Sequence, residues 1–185
     1  MLDKSQDSYF TTFGTYEEML DYHEEQAKSS IWHRCQVNRL EVEPLDKTSP
    51  LYGSLSNFAP GITQQAVDDT AENLGLAMRV DGLCYPVRDT AYKSLLDRAK
   101  ITGTSLAKLS RDVLACLNLY SAEALVLIRD EKVCAVHSGD SVDYSILPID
   151  ELLRTLKAKL DVRFAGNRFE QGFCDHSIVG ASWTM

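Results

Sequence analysis

No apolar run in this 185-residue chain approaches the length of a bilayer span, so no transmembrane helix is expected. Residues 1–14 are polar and mixed in charge, without the basic start and apolar centre of a secretory signal, and a cytoplasmic location is expected. Glycine and proline are sparse, at 10 and 5 residues, and no internal repeat or low-complexity tract appears, which argues against a disordered or fibrous chain. The five cysteines, Cys35, Cys84, Cys116, Cys134 and Cys174, are odd in number and irregularly spaced, so they read as free thiols rather than a disulfide framework. There is no basic excess: 27 acids against 19 bases leave a net charge of −8, which argues against a nonspecific DNA-coating protein. Nor is there a G-x-S-x-G, a P-loop, a G-x-G-x-x-G after a strand or an H-E-x-x-H. Cys174-Asp175-His176 makes a poor dyad, since successive strand residues point to opposite faces, and Cys134 with His137 fares no better. The missing motifs point to a non-enzymatic protein.

What is present is a real core, with 44% hydrophobic residues. The expected organisation is a flexible lead over 1–14, then one α+β domain over 15–185 with an acidic part (15–76) and a second part (77–185). Thr15 is placed to cap a helix from Tyr16 to Ser29, and Glu18 completes a capping box. Ile31 to Glu43 reads as a strand, Thr63 to Leu76 as a helix, and Ala77 to Tyr85 as a strand or an irregular connection. Helices follow from Thr90 to Ile101, capped by Asp89, and from Thr104 or Ser105 to Tyr120. They read as a helical hairpin on the sheet in preference to a DNA-binding helix-turn-helix. The runs Ala122–Ile128 and Val133–His137, split by the charged Arg129-Asp130-Glu131-Lys132, have the pattern of a β-hairpin covered on both faces. Pro148 starts a helix, and Asp161–Glu170 and Gly172–Trp183 read as two further strands. The sheet is expected to be mostly antiparallel, with helices packed on one side.

Charge is unevenly distributed. Residues 1–76 hold 13 acids and 5 bases, 77–111 hold 3 and 7, and 112–185 hold 11 and 7. The acids Glu17, Asp21, Glu24 and Glu25 fall opposite the apolar stripe of the first helix, and Asp68, Asp69 and Glu72 fall on the exposed side of the next. The plain reading is two solvated faces; the sharper one is an acidic strip that stands in for a phosphate backbone in a partner's basic groove. The bases Lys93, Arg98, Lys100, Lys108 and Arg111, with Arg163 and Arg168, are the phosphate-contacting set of an alternative single-stranded nucleic-acid-binding or annealing protein. In Arg163–Phe169, basic and aromatic residues come together in a way that suits base stacking, although core-facing Phe with outward Arg is the plainer account. His33-x-Cys35 and Cys174-x-His176 each present two ligand types at strand spacing, and together would make a Cys2His2 zinc site. No other cofactor is expected.

Several stretches resemble a known family: Leu106–Arg111, Ala124–Asp140, Asp143–Pro148, Gly172–His176 and Ala181–Trp183, together spanning roughly residues 88–185, with Phe13–Leu20 similar at the N-terminus. It is the phage- and plasmid-like family of unknown function found on mobile elements of gut Firmicutes. Its members continue into a second half beyond the position of Trp183, so the chain reads as a short version. The resemblance implies no catalytic residues. It implies a mobile-element setting, in which small acidic proteins often inhibit host defence. The expected function is therefore binding and inhibition of a host defence complex, most concretely as an anti-CRISPR protein acting on a CRISPR effector nuclease.

Overall fold

A computed structural model describes residues 7, 9–99, 110–120, 122–138, 145–176 and 178–185. Five α-helices and nine strands in three antiparallel sheets are seen among them, an α+β fold. The chain divides into two compact units. The first comprises residues 1–7 and 31–144; the second combines 8–30 with 145–185. The expected boundary at 76/77 instead falls inside a strand that pairs across it.

In the first unit, β2 (Ile31–Gln36), β6 (Glu123–Arg129) and β7 (Lys132–Ser138) form one sheet in the order β2-β6-β7. β3 (Glu41–Pro44), β4 (Leu76–Val80) and β5 (Leu83–Pro86) form the other, in the order β3-β4-β5. The expected strand Ile31–Glu43 is thus broken by a 3-10 turn at Val37–Arg39, which sends its two halves to different sheets. The ambiguous Ala77–Tyr85 is a hairpin, turned by Asp81 and Gly82, both at positive φ. The sheets meet where Val87 bridges Val133 in parallel and the Arg88 amide donates to the Val133 carbonyl at 2.9 Å.

The two sheets share one core. Alternation sends Val42, Met78 and Tyr85 from one sheet, and Ala124, Val126 and Ile128 from the other, into a common cluster. It also holds residues of α3 (Asp89–Arg98) and α4 (Ser110–Tyr120), Leu95 and Leu117 among them. A second cluster lies on the opposite face of β3-β4-β5, where Ala77 and Cys84 meet Leu51, Phe58 and the Val67 of α2 (Gln64–Glu72). The expected hairpin is borne out and its strands are buried on both faces: Leu125 and Leu127 are buried as well as their alternating neighbours. Its turn is tighter than the charged run suggests. Asp130 and Glu131 alone form it, at φ of 48° and 66°, the left-handed pair that matches strand twist.

The second unit joins the two ends of the described chain. β1 (Thr11–Phe13), which lies in the stretch expected to be a flexible lead, pairs with β8 (Arg168–Cys174), and β8 pairs with β9 (Val179–Thr184). α1 (Tyr16–Ser29) packs against α5 (Ile149–Arg163) and on the sheet. Thr15 caps α1 with the expected capping box: its hydroxyl accepts from the Glu18 amide at 3.2 Å, and the Glu18 carboxylate accepts from the Thr15 amide at 3.2 Å. Met19, at no exposure, is the centre of a cluster with Tyr9, Phe13, Leu153 and Cys174. Gly172 lies beneath it, and a Cβ there would sit 2.5 Å from the Met19 sulfur and 3.1 Å from the Phe169 ring, so a larger residue requires Met19 to shift.

Candidate functional site

On α1, Met19, His23 and Gln26 are buried, and the opposite side carries the acids. Glu17, Asp21 and Glu25 are exposed and recur at i, i+4 and i+8, so they form one row along the helix. Glu24 turns aside and pairs with Arg154 of α5, which also reaches Asp150 at 3.5 Å. Glu18 is used in the cap. This row is the part of the expected acidic surface that faces solvent.

The α2 acids are engaged within the fold instead. Asp68 accepts from the Tyr52 hydroxyl at 2.7 Å and from Gln64 at 2.8 Å, which holds its carboxyl below the usual range. Glu72 pairs with Lys47 at 2.9 Å. Asp69 pairs with the Lys132 ammonium, which has no exposed surface. Asp7 reaches the same ammonium at 3.3 Å. Burial lifts the Asp7 carboxyl above its ordinary range, and Lys132 and Arg88 pull it back in part. Beside this cluster, Glu131 accepts from both the amide and the hydroxyl of Thr63, each at 2.6 Å, and so binds the hairpin turn to the start of α2. Sequence reasoning missed this cluster because Lys132 sits in a run of four charged residues that reads as a solvated turn.

The described members of the basic set divide between the two units. Lys93 is tied to Asp89 at 2.7 Å one turn earlier. Arg98 closes α3. Lys100 and Lys108 lie outside the described residues, as does the Arg111 side chain. Arg163 and Arg168 belong to the second unit, Arg163 at the end of α5 and Arg168 at the start of β8. The stretch Arg163–Phe169 is therefore a helix end and a turn through Gly166, at φ 88°, and presents no alternating strand. Phe169 faces inward, with its ring 6.3 Å from Tyr16 and 5.2 Å from Trp183.

The two zinc pairs fall in different units. Cys35 is buried in the core of the first unit, where burial pushes its thiol up to about 11. His33 lies on β2 with Nδ1 3.6 Å from Asp81. Cys174 closes β8 inside the Met19 cluster of the second unit, whereas His176 lies past the strand end, its ring 5.1 Å from Tyr9. The strand-spacing argument thus holds for the first pair and fails for the second. No group of three or more His, Cys, Asp or Glu placed to hold a metal occurs among the described residues. None of their helices is long and apolar enough to cross a membrane.

Compared with protein-family models, with curated proteins and with solved structures, the chain matches none.

Proposed function

We propose that this protein is a non-enzymatic binding protein that presents the Glu17–Asp21–Glu25 row of α1 to a basic surface which otherwise holds nucleic acid. The partner in this reading is a host defence complex, with a CRISPR effector nuclease as the concrete case, and the setting is a mobile genetic element. The supporting observation is the row itself, three exposed carboxylates on one helix face. Carboxylates about 6 Å apart along a helix make a regular line of negative charge, which suits lysines and arginines set out for a nucleic-acid strand.

The test is competition. Effector–guide complex is mixed with labelled target DNA and increasing protein, and bound DNA is measured at two salt concentrations. The expected result is displacement that weakens at higher salt. A variant carrying Glu17→Gln, Asp21→Asn and Glu25→Gln keeps its helical circular dichroism and loses displacement. Unchanged displacement by that folded variant rejects the acidic-row mechanism, and no displacement by the parent protein rejects the partner.

A further inference from the structure

A cavity of about 690 Å³ opens along β3, walled by Leu40, Val42 and Leu114 on one side and by Leu51 beyond Glu41 and Glu43 on the other. Among the described residues β3 is the outer strand of its sheet, and its register with β4 settles which of its backbone groups point away from that partner. The Leu45 amide donates to Gly75 at 2.8 Å, so in an antiparallel ladder the pairs Glu43–Ala77 and Glu41–Arg79 also exchange hydrogen bonds. On the far side of β4 the Val87 amide donates to Leu76 at 3.0 Å, which gives the same phase. The N–H and C=O of Val42 and the C=O of Pro44 therefore point away from β4, into the cavity. Pro44 has no N–H to satisfy.

We infer that this cavity takes one extended peptide segment of a partner protein, added to β3 as a further strand, with a basic–apolar–basic sequence. An incoming residue that exchanges both hydrogen bonds with Val42 shares Val42's face, towards Leu40 and Leu114, so it is apolar. Its two neighbours then stand opposite Glu41 and Glu43, on the other face, and the carboxylates select Lys or Arg there. Arg79 pairs with Glu43 and stands across the ladder from Glu41, so one guanidinium faces two carboxylates and the edge keeps a net negative charge. A second copy of this chain is a poor occupant: pairing about Val42 would place Glu41 against Glu43 of the other copy, like charges face to face. Such strand addition draws affinity from main-chain hydrogen bonds and specificity from alternate side chains. The inference involves neither α1 nor a nucleic-acid competitor, so it stands or falls apart from the proposed function.

The probe is a fluorescein-labelled, capped peptide of sequence Ser-Lys-Ile-Lys-Ser, titrated with the full-length protein and read by anisotropy. Three results are expected. N-methylation of the central Ile, which removes its donor to Val42, weakens binding about tenfold, the scale of one interfacial hydrogen bond. N-methylation of a flanking Lys, whose amide points outward, leaves binding within about twofold. Glu41→Lys weakens the parent peptide and gains binding to Ser-Glu-Ile-Glu-Ser. Independently, the Val42 amide becomes protected from hydrogen exchange when the parent peptide is bound. Equal binding of the two N-methyl peptides, equal binding of capped lysine alone, or no binding of the parent at millimolar concentration overturns the inference.

Discussion

Lys132 offers the sharpest test of the physical account of the first unit. Its side chain has no exposed surface, and its ammonium pairs with Asp69 and, at 3.3 Å, with Asp7. Asp69 and Asp7 are themselves only 18% and 10% exposed. Lys132→Met keeps much of the volume and removes the charge. It leaves two largely buried carboxylates without their shared cation, with Arg88 as the remaining nearby positive charge. Breaking a buried pair from one side costs about 3–5 kcal/mol, and the partial exposure of the two acids places the expectation at the lower end, near 3 kcal/mol. For a chain of this size each kcal/mol moves the melting temperature by roughly 2–4 °C, so a drop of about 6–12 °C is expected. The assays are thermal and urea denaturation, which read the melting temperature and the free energy, each followed by the fluorescence of Trp32, with Trp183 replaced by Phe so that the signal reports β2 of the first unit. Adding Asp69→Asn to Lys132→Met recovers at least about 1 kcal/mol, because one of the stranded charges is then gone. A melting temperature within 2 °C of the parent, with no coupling between the two substitutions, would refute the reading of Lys132 as a cation that the fold depends on.

Gly172→Ala is expected to destabilise the second unit by about 1–3 kcal/mol, measured by Trp183 fluorescence in denaturant, because the new Cβ meets the buried Met19 sulfur at 2.5 Å. Thiol labelling at pH 8 proceeds first at the half-buried Cys116, while Cys35 and Cys84 lag, since burial lifts both thiols to about 11 and leaves about one thiolate in a thousand; early labelling of Cys84, located by mass spectrometry, contradicts this. Because its folded value is raised, Asp7 favours the folded state most when protonated, and that contribution is lost as pH climbs from 3.8 through the raised value. Asp7→Asn therefore flattens the fall of stability over that window in denaturation curves collected between pH 3.5 and pH 7, and an unchanged slope counts against the assignment.

Much of the local structure was legible in the residues themselves. Thr15 with Glu18 marks a helix start wherever the helix goes, because the cap closes on its own backbone within three residues. The apolar runs flanking Arg129–Lys132 mark a hairpin because both faces must be covered. The exposed row Glu17–Asp21–Glu25 follows from helical period alone, and it is the part of the candidate site that was read correctly as a surface. The α2 acids show the limit of the same reasoning. Periodicity assigns Asp68, Asp69 and Glu72 a side of a helix but says nothing of Tyr52, Lys132 or Lys47, which meet them from 16, 63 and 25 residues away. The Cys174–His176 pair shows it again: spacing of two implies one face only if the strand continues, and β8 stops at Cys174.

What the sequence by itself determined, then, is whatever depends on neighbours within a turn or two: caps, alternation, the left-handed turn and the overall acidity. Only the tertiary structure decided that Val37–Arg39 splits one apparent strand between two sheets, that the chain's first helix shares a unit with its last, and that Lys132 is buried. It also decided that the edge of β3 faces an open cavity. The physical reason is common to all four. Burial, ion pairing and strand pairing are set by which segments meet in space, and a hydrogen-bonding edge or a charge carries no local mark of whether water, another strand or a carboxylate will satisfy it.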